Sequence, residues 1–265
     1  MSAPAVDGFE ITEHAALGST RTVYRRGEGP PIVVMHEIPG ITPEVAGFAR
    51  RLADEGYTVA MPWMFGTPNR PLSGPYAVGQ MARACVSREF TLFGRNQSSP
   101  ITDWLRTLCR ALHEETGLPV GAIGMCLTGN FALALMVDEH LMAPVLSQPS
   151  MPTGVTASRR RDLHVSSEDL VAIKRRAREG VGVLGMRFTH DPLCPGARFA
   201  RLREELGDAF EGIEIDSGPG NPHGIPRFAH SVVTNDLVDE EGHPTKAALD
   251  RCLAFFRERL RGDAR

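Results

Sequence analysis

Several absences narrow this chain before any motif does. No window of its 265 residues approaches the roughly 18 uninterrupted apolar residues of a membrane span. The opening MSAPAVDGFEITEH has no basic segment followed by an apolar one, so a soluble, cytoplasmic protein with no membrane partner is expected. There is no CxxC pair, and nine histidines include no HExxH. Five cysteines, at 85, 109, 126, 194 and 252, share no short repeated spacing, which argues against a disulfide framework and a zinc site; free thiols are expected, and no metal or cofactor. Neither sign of charge dominates: 29 Lys and Arg stand against 32 Asp and Glu, so no global field recruits nucleic acid, and the partner is expected to be a small molecule. Repeats, linkers and low-complexity tracts are also missing. With 42% hydrophobic residues the chain can bury a large core, and one domain over 1–265 is expected.

What is present alternates between short apolar runs and helix signals. PIVVMHE (31–37) is β-branched and ends at IPG, as a buried strand does. Thr42 can cap a helix with Pro43 in its first position, Val45, Phe48, Leu52 and Ala53 on one face, and Gly56 as its stop. YTVAMPW (57–63) is the next strand, which completes one βαβ unit. Ser99 and Pro100 open a second helix with the stripe Ile101, Trp104, Leu105, Leu108 and Leu112, closed at Gly117; PVGAIGM (119–125) resumes the sheet, and FALALMV (131–137) continues as an apolar helix. APVLSQ (143–148), a helix capped by Ser167, VGVLGMRF (181–188), a helix around Phe199 and Leu202, FEGIEID (210–216) and a closing helix with Leu249, Cys252, Leu253 and Phe256 follow. This alternation predicts an α/β fold, a mostly parallel central sheet with helices on both faces. Residues 64–98 and 149–165 break the rhythm and are expected to be irregular loops bordering the active site.

Ligands of an open parallel sheet bind beyond the carboxyl ends of its strands. In GMCLTG, Cys126 sits where a strand gives way to a helix, the place of a nucleophile elbow, with Gly124 relieving the crowding of that turn. The helix dipole and the unpaired amides of the first turn favour a thiolate there. The backbone N–H of Leu127, with one from the EIPG loop, can receive an oxyanion. An isolated cysteine is more often a small buried apolar residue; the strand–turn–helix setting shifts the balance toward a nucleophile.

The remaining parts follow in the order nucleophile, acid, histidine that α/β-hydrolases show. Asp191, in THDPLCPG, comes directly after the strand 181–188. His230, in RFAHSVVT, follows the last strand and a loop long enough to swing back over the sheet. A base within reach of the nucleophile and held by a carboxylate is the logic of a triad. His223 is a rival in the same loop; His230 is preferred because a small residue precedes it and a β-branched run follows. His190 is expected to be structural or exposed.

Four segments, MHEIPG, GMCLTG, THDPLCP and AHSVVT, resemble in order and spacing those of the dienelactone hydrolase family, cysteine members of the α/β-hydrolase fold. The likeness runs from about Pro31 to the last helix. It implies a hydrolase that opens a lactone or small carboxylic ester through a cysteine thioester, with Cys126, Asp191 and His230 as triad and Glu37 as an unusual fourth member. In the family a glutamate at this place contacts the resting thiol and, once substrate displaces it, takes the thiol proton. His230 then activates water against the thioester, Asp191 orients it, and the amides of Leu127 and Ile38 form the oxyanion hole.

The chain also departs from the family pattern. Thr128 stands where the family has a glycine, and it is expected to crowd the helix start. The dienelactone-degrading members of the family hold a substrate carboxylate with arginines, one shortly after the histidine, where this chain has Thr234. Arg83 or Arg88 would take the place of the other. Arg159–Arg161 is either a cluster over the pocket or, as charge blocks more often are, a solvated surface. Cys85, Cys109 and Cys252 are expected in the core, and Cys194 near the site without a chemical role. The alternative is a non-catalytic small-molecule-binding or thiol-sensing protein on the same scaffold, since a fold does not guarantee chemistry.

Overall fold

A computed structural model describes residues 3–86, 99–150 and 156–262. Its strands are β1 (Glu10–Ala16), β2 (Ser19–Arg26), β3 (Pro31–Met35), β4 (Thr58–Pro62), β5 (Val120–Met125), β6 (Leu141–Ser147), β7 (Val183–Phe188) and β8 (Phe210–Ile215). They form one sheet in the order β1-β2-β4-β3-β5-β6-β7-β8. The pairs β1–β2 and β2–β4 are antiparallel and the rest parallel, as the mostly parallel expectation required.

Helices α1 (Pro43–Asp54) and α8 (Pro244–Leu260) cover one face. Helices α3 (Pro100–Thr116), α4 (Gly129–Leu135), α6 (Ser167–Arg178) and α7 (Gly196–Leu206) cover the other. The two-residue period of a strand sorts β3 between the two cores: Ile32 and Val34 pack with α1 and α8, while Val33 and Met35 pack with α3 and α4. Buried on both sides, these strands need continuous apolar runs. Caps set the helix starts: Val45 N donates to Thr42 Oγ1 at 3.3 Å, and Thr102 N donates to Ser99 Oγ at 3.4 Å.

The structure corrects some boundaries. Ser166, not Ser167, caps α6, accepting from Asp169 N at 3.0 Å. The apolar helix expected at 131–137 runs instead from Gly129 to Leu135, with Met136 and Val137 in the turn that follows. The stretch 64–98 holds a 13-residue helix, α2 (Gly74–Val86), and 149–165 holds a short one, α5 (Ala157–Arg161), capped by Thr156. Among the described residues no helix is long and apolar enough to cross a membrane.

Candidate active site

β5 ends at Met125, and Cys126 takes φ 56°, a left-handed conformation that costs a residue with a Cβ on the order of 1 to 3 kcal/mol. The flanking glycines are dictated by close approach. A Cβ on Gly124 would lie 2.0 Å from Thr128 O, and one on Gly129 would lie 2.6 Å from Pro149 Cα. Ser150 N donates to Cys126 O at 2.9 Å, so the chain leaving β6 clasps the turn. Thr128 does more than crowd the helix start. Its Oγ1 accepts from Met125 N at 2.9 Å, and its own proton has Met35 O at 2.8 Å among its acceptors. The hydroxyl therefore straps the cysteine turn to the end of β3. Cys126 itself is 4% exposed.

Beyond β7, Asp191 is buried; its Oδ1 accepts from Leu193 N at 2.9 Å and its Oδ2 from His230 Nδ1 at 2.7 Å. The histidine loop is tightened from within, because His230 N and Ser231 N both donate to Asp236 Oδ2 at 2.8 Å. With Nδ1–H given to Asp191, Nε2 is the acceptor of the neutral ring. It is buried without a well-formed hydrogen bond. Burial works to lower the His230 pKa, but the charge of a nearby Cys126 thiolate and the hydrogen bond to Asp191 outweigh it, and the net shift is well upward. The structure thus brings together Cys126, His230 and Asp191. His223 is exposed and stacks edge-on with His243, with ring centres 5.3 Å apart. His190 is exposed, as expected.

Glu37, one residue past His36 at the end of β3, is 1% exposed. Its Oε2 accepts from Ser231 Oγ at 2.7 Å and Gln148 Nε2 at 3.3 Å; its Oε1 accepts from Thr234 Oγ1 and from Asn235 Nδ2 at 3.2 Å. Gly40 N donates to Glu37 O at 2.8 Å, closing the turn that presents Ile38. His36 steadies this turn. Its Nε2 accepts from Met64 N at 3.1 Å, which leaves the ring proton on Nδ1, 3.2 Å from Glu37 O. Burial pushes the His36 pKa down to about 4.

The arginines fall elsewhere. Arg83 lies on α2 beside a surface cleft of about 360 Å³, with Arg70, whose guanidinium sits 3.9 Å from the Tyr76 ring centre. Among the described residues no hydrogen bond or ion pair joins Arg83 to the cysteine, histidine or carboxylates above. Arg88 lies outside the described residues. Arg159 and Arg160 are exposed, and Arg161 pairs with Glu204 at 2.6 Å, so the cluster is a solvated surface. Cys109, Cys194 and Cys252 are buried free thiols, with burial pushing Cys194 up to about 12 and the other two higher still. The Cys85 side chain lies outside the described residues.

Sequence reasoning missed Gln148, Ser231, Asn235 and Arg198. Gln148 had one signal, a polar residue at the carboxyl end of an apolar strand. Arg198, 1% exposed, donates to Asp162 O at 2.8 Å and to Pro149 O, and lies 3.2 Å from His164 Nε2. It clamps both ends of the excursion after β6.

Known proteins share this arrangement of chain. A protein of Saccharomyces cerevisiae named "Putative carboxymethylenebutenolidase" is 24% identical over 242 residues, covering 89% of this chain and 81% of that one. A dienelactone hydrolase-like promiscuous phosphotriesterase from metagenomic libraries superposes with TM-score 0.59 at 18% identity, over 95% of this chain and 98% of the other. A dienelactone hydrolase from Anabaena variabilis gives TM-score 0.59 at 14% identity with the same coverage. At these identities the superpositions establish the α/β-hydrolase fold. The family model described as the dienelactone hydrolase family matches residues 17–260, nearly the whole chain, and the chain accordingly belongs to that family of ester and lactone hydrolases.

Proposed function

We propose that the protein opens a lactone or small carboxylic ester through a thioester on Cys126. The observation that carries this reading is a buried His230 Nε2 without a well-formed hydrogen bond, on a ring fixed by Asp191 and under the influence of the Cys126 sulfur. The thiolate attacks the carbonyl carbon, and the N–H groups of Leu127 and Ile38 receive the oxyanion, each worth about 10² to 10³ in rate. The alcohol leaves, and water activated by His230 hydrolyses the thioester, with Asp191 holding the ring and Glu37 completing the site. The Thr234 hydroxyl already serves Glu37, so position 234 offers no cation to a substrate carboxylate. An uncharged ester or lactone fits better than dienelactone itself. Free cysteines suit a cytoplasmic setting.

The test is turnover of aryl esters and simple lactones during iodoacetamide treatment. Loss of activity in step with alkylation of Cys126, and an inactive Cys126→Ala, are expected. Alkylation of a protein that never turns over any ester would support the thiol-sensing alternative and defeat the hydrolase reading.

A further inference from the structure

Glu37 and His230 differ in what they still have to offer a proton. A carboxylate carries two oxygens with about four lone-pair sites between them. On Glu37 all are engaged: Oε1 by the Thr234 hydroxyl and Asn235 Nδ2, Oε2 by Ser231 Oγ and Gln148 Nε2. Three of these donors lie on the loop that carries His230. The fourth, Gln148, reaches the same loop by accepting from Val232 N at 3.3 Å. Among the described residues no hydrogen bond joins Glu37 to the Cys126 thiol. Freeing the carboxylate would leave hydroxyls and amides unpaired in a buried place, each at the full desolvation penalty. His230 is the converse case. Nδ1 is engaged by Asp191, while Nε2 is buried with no hydrogen-bond partner among the described residues, and the charge of a Cys126 thiolate favours its protonated form.

We infer that His230 Nε2, rather than Glu37, takes the Cys126 thiol proton, and that Glu37 is a positioning residue that ties the histidine loop to the end of β3. The inference rests on the hydrolase reading for its chemistry and departs from the role that the family resemblance implied for Glu37. The S–H bond breaks and its proton moves to Nε2. The electron pair left on sulfur forms the S–C bond as the carbonyl π pair moves onto oxygen. When the ester C–O bond breaks, the departing alkoxide takes the Nε2 proton, which frees the ring to accept one from water in the second half. Asp191, Asp236 and Glu37 are the carboxylates that hold the ring or its loop; Glu37 acts only through Ser231, Thr234, Asn235 and Gln148.

The test follows the alkylation rate of Cys126 against pH by peptide mass spectrometry, using iodoacetamide and the full chain, without substrate. Wild type is compared with Glu37→Gln, and with His230→Gln and His230→Asn so that one poorly folding variant does not decide the result. Glutamine keeps the shape of Glu37, and the Ser231 and Thr234 hydroxyls can accept from it as well as donate. The inference expects Glu37→Gln to leave the inflection in place or move it down, and the His230 variants to move it up toward about 8.5, the free cysteine value. An upward shift in Glu37→Gln, or none in the His230 variants, overturns it. The positioning role is read from ester kinetics. Glu37→Ala should lose kcat on the order of 10²-fold with little change in KM, and Gln should restore most of it; equal losses in Ala and Gln overturn that role. A wild-type protein that turns over no ester would overturn the hydrolase reading alone. The proton assignment would still be decided by the alkylation profile, and the loop role by amide exchange at 231–235, which should quicken in Glu37→Ala and not in Glu37→Gln.

Discussion

Replacing Thr128 with valine keeps the branched shape of the side chain and removes its hydroxyl. Two buried hydrogen bonds disappear, the one accepted from Met125 N at 2.9 Å and the one donated toward Met35 O at 2.8 Å. Each is worth about 0.5 to 1.5 kcal/mol net, and a buried backbone donor deprived of its acceptor adds roughly 1 to 3 kcal/mol. The expected destabilisation is therefore about 2 to 6 kcal/mol, a fall in Tm of roughly 4 to 24 °C for a chain of this size. Ester turnover should fall as well, because the strap that fixes the cysteine turn against the end of β3 is gone. Urea unfolding and initial rates on an aryl ester measure both effects. Thr128→Ser keeps the hydroxyl and should stay within about 1 kcal/mol of wild type. A Thr128→Val protein as stable and as active as the parent would refute the strap and leave Thr128 as a residue that is merely tolerated.

Gly129→Ala places a Cβ 2.6 Å from Pro149 Cα; a loss of about 1 to 3 kcal/mol is expected from overpacking, with reduced turnover as the cysteine turn shifts, and unchanged unfolding would mean the turn is looser than described. Arg198→Lys keeps a charge but not the fork that reaches Pro149 O, Asp162 O and His164; proteolysis within 149–164 should accelerate, and resistance equal to wild type would count against the clamp. Asp191→Asn should lower kcat by on the order of 10² to 10⁴, and a loss below tenfold would remove Asp191 from the triad. His36 and His164 are buried with pKa values lowered from 6.5 to about 4 and about 3. Because the folded values lie below the unfolded one, the unfolded chain binds these protons first, so stability is full above about 6.5 and falls as pH drops toward the folded values. For His36 alone the fall corresponds to roughly 3 kcal/mol, measurable as a lower urea midpoint at pH 4.5 than at pH 7 that His36→Gln should reduce.

The parts of the fold that were legible in the sequence are those where one local pattern has one meaning. β3, β4, β5 and β7 are buried on both faces and show as nearly continuous apolar runs, interrupted only by Thr58 and Arg187. The β1–β2 hairpin escaped because its residues face solvent on one side, and Glu10, Thr12, Glu13 and Arg21 dilute the signal. Its only punctuation is Leu17–Gly18, both at positive φ. Helix α2 was hidden by Gly74, Pro75 and Gly79, which suggest a loop. Of the site, Cys126 and Asp191 could be found because each stands just past a strand, and His230 because it lies in the loop that follows the last strand, where the topology leaves few other places for reactive groups. The partners of Glu37 could not. Gln148, Ser231 and Asn235 lie 111, 194 and 198 residues away from it, and nothing local distinguishes a polar side chain that will meet a buried carboxylate from one that will meet water.

The four residues from Met35 to Ile38 explain why two departures from the family pattern are compatible with an assembled site. Met35 O is an acceptor for the Thr128 hydroxyl, which ties the cysteine turn to the end of β3. His36, neutral because it is buried, accepts from Met64 N and fixes the loop after β4. Glu37 gathers the histidine loop through Ser231, Thr234 and Asn235, and Ile38 opens the turn whose amide faces the oxyanion in the proposed mechanism. A threonine at 128 and a threonine at 234 both supply hydroxyls to this one segment, so each substitution replaces a family feature with a tether to the same strand end. A tether made of neutral hydroxyls has no charge for an anionic substrate to compete with, and the carboxylate it holds has no vacant acceptor. In the proposed mechanism the histidine is then the group with an acceptor to spare, and Cys126 would depend on it for both halves of the reaction.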